Sequence, residues 1–380
     1  MFRGLTWDHP RGWAPLRAAA ELEPGGPLIE WSIQPLEGFE AAPIDDLAEQ
    51  YDVIVIDHPH LGEAVASGAL LPLDELLGDR LTATLAPDDF VGPSWKSYTF
   101  QGHLYALPLD AATQTAVSNS ELVEASGLPR TWQEVVEFAR DTPTALGLGG
   151  PHALITLYSI ALSFGAEPGP RGELDQDAVE QALALMTRIA GDRPELASLN
   201  SIRLLDLMAS GAGPHYCPLV YQFVTYTDPR APHRLRFSDA PAGPGGRRGS
   251  VIGGTGLAVS ARCTPSAALL DHLLRLVSDE VQRGVIPARS GQPARLSAWT
   301  DPALDATTDR FYAGTLETIT GSWLRPRHTG FPALQNRVSA VVRDACTAAT
   351  PIGVAAADIV ALLAADPSPA PAHHTRKDPS

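Results

Sequence analysis

Residues 51–62 read Tyr-Asp-Val-Ile-Val-Ile-Asp-His-Pro-His-Leu-Gly. Val53-Ile54-Val55-Ile56 shows no polar alternation, so both faces of the strand it predicts must be covered, as in the interior of a parallel sheet. The run stops at Asp57-His58-Pro59, and proline suits only the first turn of a helix. The pattern predicts a buried strand that runs into a helix start. A carboxylate and an imidazole then stand at the strand's carboxyl end, where open α/β sheets bind ligands. The same tripeptide, Asp8-His9-Pro10, follows Leu5-Thr6-Trp7. Neighbouring strands lie roughly 5 Å apart, so two such ends side by side would bring both Asp-His pairs into one patch.

Around this motif the chain alternates. A helix is predicted over 14–23, a strand over 28–33, a helix over 44–50 and another over 60–67, ended by Gly68. This β-α-β order predicts an α/β fold with a parallel sheet and right-handed crossovers. His103 to Asp110 predicts a further strand that continues as an extended segment over 111–119. Thr131-Trp132-Gln133-Glu134 has the spacing of a capping box. An apolar helix is expected over 151–163, amphipathic helices over 175–189 and 201–209, a helical end over 332–364, a strand over 216–226, and a Gly-rich turn and strand over 241–260. That turn lacks the Gly-Lys-Ser/Thr of a phosphate loop. Residues 367–380 read as a disordered tail.

A length of 380 residues exceeds one ordinary core and fits two lobes. The formal charge of −16, with lysine only at Lys96 and Lys377, argues against nucleic acid and anionic membrane as partners. Cys217, Cys263 and Cys346 are widely spaced and read as buried thiols. Cys217, in His215-Tyr216-Cys217-Pro218, is the candidate were one catalytic. The sequence begins without a charged and apolar leader and has no long apolar run, so a cytoplasmic location is expected as read, or an extracellular or periplasmic one if a signal precedes it.

Five segments in order carry a resemblance: Tyr51–Leu77, with its strand, cleft residue, helix and Gly-x-Leu-x-Pro-Leu-Asp; Phe100–Asp110; Ser126–Arg140; Gly253–Ala261; and Val281–Gly291. Together they resemble the extracellular solute-binding proteins of ABC transporters, of the carbohydrate type that includes maltose-binding proteins. The resemblance implies a two-lobed periplasmic-binding-protein-like α/β fold with a hinge and an inter-lobe cleft. It implies one lobe from 1–110 with 250–300 and another from 111–249 with 301–366, closing by hinge motion near 110–118 and 246–256. A small-molecule ligand, ABC permease subunits, a monomer and no cofactor are the expectations that follow. The paired Asp-His-Pro tripeptides are not general features of that family.

The candidate ligand residues are Trp7, Asp8, His9, Asp57, His58 and Asp110 on the first lobe, with Gly254 in the return strand. Carboxylates accept from ligand hydroxyls, imidazoles donate, and Trp7 with Tyr158, Tyr216 and Tyr221 offers apolar faces for a sugar ring. The simpler reading makes Asp8 and Asp57 helix caps and Asp110 a hinge cap. Arg325, Arg327 and His328 form a second cluster, suited either to an anionic ligand group or to an inter-lobe salt bridge. Two further readings use the same residues: a cytoplasmic enzyme with His9, His58, Asp8 and Asp57 as acid/base groups, and, more weakly, a metal site of two His and two Asp.

Overall fold

The computed structural model of the chain describes residues 1–23, 25–35, 38, 42–190, 193–348 and 350–365. The predicted tail, 367–380, lies outside them. The chain forms two α/β lobes bridged by one seven-stranded sheet. The first lobe opens with β1 (Phe2–Trp7), α1 (Pro10–Glu21), β2 (Ile29–Gln34), α2 (Ile44–Ala48), β3 (Val53–Ile56) and α3 (Leu61–Ala66). Strands β1, β2 and β3 pair in parallel, as their β-α-β order predicts. All four residues of β3 are buried, in keeping with an apolar run covered on both faces.

The sheet is nevertheless mixed. Strand β4 (Ala106–Asn119) is a buried ribbon of 14 residues, roughly 45 Å long at ~3.3 Å per residue. Its first half pairs with the return strand β7 (Ile252–Val259), and its second half with β5 (Tyr216–Tyr221) and β6 (Leu235–Ser238). Every pairing of β4 and β7 is antiparallel, because β7 brings the chain back from the second lobe against the direction in which β4 left. The order across the sheet is β2-β1-β3-β7-β4-β5, with β6 also on β4. The strand expected over 216–226 ends at Tyr221, and Val224–Thr227 turns instead as a 3-10 helix.

The second lobe is built on helices. Thr131 caps α4 (Trp132–Phe138) through the predicted capping box. All twelve residues of α5 (His152–Ser163) are buried. It packs on α6 (Gln176–Ala190) and α10 (Phe331–Thr347), against which α11 (Ile352–Ala364) also lies. The helix expected over 332–364 is thus two helices, separated at Pro351, which cannot continue the first. Helices α7 (Ser201–Ala209), α8 (Ala267–Leu276) and α9 (Phe311–Thr320) complete the elements needed below.

Where β4 and β7 meet, the register shifts between Pro108 and Asp110, and Gly254 takes φ +112°. A Cβ there would come within 2.3 Å of the Asp110 carbonyl oxygen. At Gly68, φ is +68° but a Cβ would meet nothing. Gly254→Ala should therefore cost more than Gly68→Ala, whose penalty is only that of a left-handed alanine at about 1–2 kcal/mol. Urea midpoints of the two variants test this, and equal losses would show that the close backbone approach is not limiting.

Candidate functional site

A cavity of about 280 Å³ opens between the lobes. Trp7, Arg11, Asp57, Pro59 and His60 line it from the first lobe; Pro151, His152, Ile155, Asn200 to Ile202 and Pro332 line it from the second. Tyr221, Phe223, Gly253, Gly254 and Arg325, beside the crossing strands, close it between them. Of the sequence candidates, Trp7, Asp57, Tyr221, Gly254 and Arg325 thus meet in one place.

Strands β1 and β3 are neighbours, but their tripeptides do different work. After β3, Asp57 is the cap: its Oδ1 accepts from the His58 backbone N–H at 2.8 Å. The rest of the carboxylate faces the Arg325 guanidinium, with Nη2 at 3.2 Å from Oδ2 and 3.4 Å from Oδ1. Burial alone would raise the Asp57 carboxyl, but Arg325 and His58 outweigh it and hold it well below the usual carboxylate range. A fifth of the Asp57 side chain, 22%, remains open. His58 turns inward and is fully buried, with Nδ1 3.1 Å from Asp57 Oδ1 and its ring edge-on to Tyr98.

After β1, the imidazole takes over the cap. His9 Nδ1 accepts from the Arg11 backbone N–H at 3.1 Å, and its ring stacks on Trp7 at 5.3 Å and meets Phe223 at 5.0 Å. Asp8 is exposed and does not line the cavity. The single patch of two Asp-His pairs expected from the sequence does not form. Neither His9 nor His58 lines the cavity, and of the four acid/base candidates only Asp57 does.

Asp110 is also corrected. It is buried, and its carboxylate receives the Arg11 guanidinium in a two-pronged pair, with Nη2 at 2.9 Å from Oδ1. Oδ1 accepts the Thr255 backbone N–H as well, at 3.0 Å. Arg11 spends its remaining amino group on the Gln222 carbonyl at 2.9 Å and lies 4.6 Å over the Phe223 ring. Arg11 was missed because an arginine in a helix's first turn gives no sign of a partner 99 residues away.

Tyr158 and Tyr216 lie fully buried in the second-lobe core, Tyr158 donating to the Gly172 carbonyl at 2.6 Å. A helix apolar all round is a buried one, and that signal in 152–163 pointed to the core at Tyr158. Tyr221 alone of the three reaches the cavity, and Gly253 makes room for it, since a Cβ there would stand 2.6 Å from its ring. His152, also missed, packs edge-on against Tyr221 at 5.7 Å.

The 323–331 cluster divides. Arg325 is buried, lines the cavity, pairs with Asp57 and donates to Gln335 Oε1 at 3.0 Å. Of the two readings, an anionic ligand group or an inter-lobe salt bridge, Arg325 makes the ion pair, and it also lines the cavity. Arg327 instead caps residues 94–99, donating to the carbonyls of Lys96 at 2.8 Å, Ser97 and Thr99, over the Phe100 ring. His328 is buried against Phe331. All three cysteines are buried and unbridged, and burial pushes the Cys217 thiol up to about 12, far from a nucleophilic thiolate. Among the described residues, no group of three or more His, Cys, Asp or Glu could hold a metal.

Comparison with known proteins places these features. Residues 39–214 match the family of bacterial extracellular solute-binding proteins. A maltotriose-binding protein of Pyrococcus abyssi is 28% identical over 118 residues, which is 30% of this chain and 24% of that one. The match thus spans about a quarter of that relative's length. Two solved structures share the fold at low identity. A ribitol complex of an ABC transporter solute-binding protein from Agrobacterium radiobacter K84 superposes with TM-score 0.76 at 19% identity, over 94% of this chain and 96% of that one. Maltose-bound MalE3 of T. maritima gives 0.76 at 18%, over 96% and 98%. The resemblance to carbohydrate-type solute-binding proteins read from the sequence holds, and the fold is theirs.

Burial, reinforced by a nearby arginine in each case, lowers His9, His58 and His152 to about 4. An unfolded histidine titrates at about 6.5. Between these values the unfolded chain binds more protons than the folded one, so stability rises with pH across that window and is flat above it. Asp57, with its depressed carboxyl, loses its contribution only further down, as pH falls below the ordinary Asp range. The melting temperature should fall steadily from pH 6.5 to 4.5, and His58→Gln should flatten that slope. A melting temperature constant over the window would show that these rings are solvated.

Proposed function

We propose that this chain binds a small polar ligand, a sugar, polyol or sugar acid, in the inter-lobe cavity and serves as the solute-binding component of an ABC-type uptake system. The observation that carries this reading is the wall of the cavity. Aromatic rings from Trp7, Tyr221 and Phe223 stand with Asp57, Arg325, Asn200, Gln335 and Asn336 around one small space. Hydroxylated rings need this mixture: apolar faces for their C–H surface and charged or amide groups for their hydroxyls.

The relatives support the same cargo class, one being bound to ribitol, one to maltose and one being a maltotriose-binding protein. In this reading the lobes are 1–110 with 250–300 and 111–249 with 301–366, closing on the ligand about crossings near 110–118 and 246–256. The partners are ABC permease subunits, and the site of action is the outer side of the membrane. Among the described residues no helix is long and apolar enough to cross a membrane.

A thermal-shift screen of sugars, polyols and sugar acids, followed by mass analysis of each hit, tests the reading. A stabilising ligand should be recovered unchanged. Removing a charged hydrogen-bond partner costs about 1.5–3 kcal/mol, so Asp57→Ala should weaken binding by about 10-fold or more, and Tyr221→Ala should weaken it too. Recovery of a chemically altered ligand would replace binding with catalysis.

A further inference from the structure

The charges around the cavity cancel in pairs. Two guanidinium groups line it, those of Arg11 and Arg325. Each is held by its own carboxylate, Arg11 by Asp110 and Arg325 by Asp57. The nitrogens of Arg11 are committed twice to Asp110 and once to the Gln222 carbonyl, with one face against Phe223. Arg325 gives one amino group to Gln335 and the other to Asp57, which leaves only its buried Nε without a partner among the described residues. Among the other titratable groups of the wall, His60 has Glu63 at 4.0 Å, and His152 is buried and uncharged at neutral pH. Neither arginine offers a free two-pronged fork of the kind that recognises carboxylate or phosphate.

An anionic ligand would add a negative charge to a cavity whose positive charges are already matched, inside a protein of formal charge −16. A neutral ligand meets no such cost. It finds Asp57 partly open, with an Oδ2 that accepts from Arg325 and can also accept a hydrogen bond from a ligand hydroxyl. The space is also small. At about 280 Å³ it lies at the lower edge of the roughly 300–1,000 Å³ usual for ligand pockets. One end is walled by Trp7, Phe223 and Arg11, with His9 stacked behind the indole.

Resting on the solute-binding reading above, we infer that the cargo is a single uncharged sugar or polyol of monosaccharide size, gripped at Asp57, and that sugar acids and oligosaccharides are excluded. The selectivity lies in the matched pairs. Removing the Asp57 charge leaves Arg325 unmatched and turns the cavity toward anions.

Isothermal titration of the purified protein with neutral hexoses and pentoses, mannitol, ribitol, glucuronate, gluconate, glucose 6-phosphate and maltotriose tests this. A neutral monosaccharide or polyol should bind, with each acid analogue weaker by about 100-fold or more, since an unmatched like charge costs several kcal/mol, and with maltotriose weaker because three rings exceed a cavity of about 280 Å³. In Asp57→Asn the neutral cargo should weaken while the preference against glucuronate narrows by at least about 10-fold. The melting temperature of this variant is checked first, and the wild-type ranking decides the matter if it does not fold. Glucuronate, the phosphate or maltotriose binding wild type as tightly as its neutral or single-ring analogue would overturn the inference and leave the solute-binding reading standing. No binding by any member of the panel would overturn both.

Discussion

The buried pair of Arg11 and Asp110 holds the cleft together. Taking two charges out of water costs several kcal/mol per ion, and only good geometry with further hydrogen bonds offsets it. Both conditions are met here, since the guanidinium and the carboxylate each find a second partner on the backbone, Gln222 and Thr255. Four pieces of chain distant in sequence converge on this point: the first turn of α1, the bulge in β4, the start of β7 and the segment after β5. Losing one partner of such a pair typically costs about 3–5 kcal/mol, because the other is left buried and unmatched. Trp7, Gly254 and Phe223, which line the cavity, all lie beside this contact.

The two Asp-His-Pro tripeptides show how context overrides a repeated word. Trp7 precedes the first and presents a flat ring, on which His9 stacks; the imidazole then stays at the helix start and caps it. Gly12 lets that indole pack closely, since a Cβ there would stand 2.6 Å from its Nε1. Ile56 precedes the second and has no flat face to offer. The shorter Asp57 side chain caps instead, and His58 is driven into the core below Tyr98. One strand end sends its carboxylate to solvent, the other to the cavity.

Local pattern carried much of the fold and a few of the residues that line the cavity. Strand β3, the long β4 ribbon, the Thr131 capping box and the glycine at 254 each follow from side-chain chemistry within a few residues. The same holds for Asp57, placed by a strand end, and for Tyr221, placed at the edge of an aromatic strand. What local pattern could not carry is pairing at a distance. Arg11 meets Asp110, and Arg325 meets Asp57 from 268 residues away. His152 and Asn200 reach the cavity only because α5 and α7 are brought there by a core elsewhere. The antiparallel entry of β7 is likewise a property of the whole path, as a strand's own residues do not state its direction.

The three segments that run between the lobes are bound into one ribbon. Thr113 and Ser250 share a hydroxyl hydrogen bond at 2.6 Å, Ser250 donates to the Gln114 carbonyl at 2.7 Å, and the backbone N–H groups of Ile252 and Trp323 donate to the Trp323 and Ser250 carbonyls, each at 2.8 Å. Gln114 extends the network into α5 through Thr156 and Ser159. Segments tied this tightly cannot slide past one another, so a change in the angle between the lobes must twist the ribbon as a unit. Tyr221, Gly253, Gly254 and Arg325 are cavity residues carried on or beside it. A ligand shifts a two-state equilibrium only through its difference in affinity for the two states. A ligand small enough for this cavity touches Asp57 on one wall and His152 or Asn200 on the other only when the walls are close. In the proposed mechanism that difference is the whole driving force for closure, and the ribbon beneath the ligand fixes the direction in which the lobes can move.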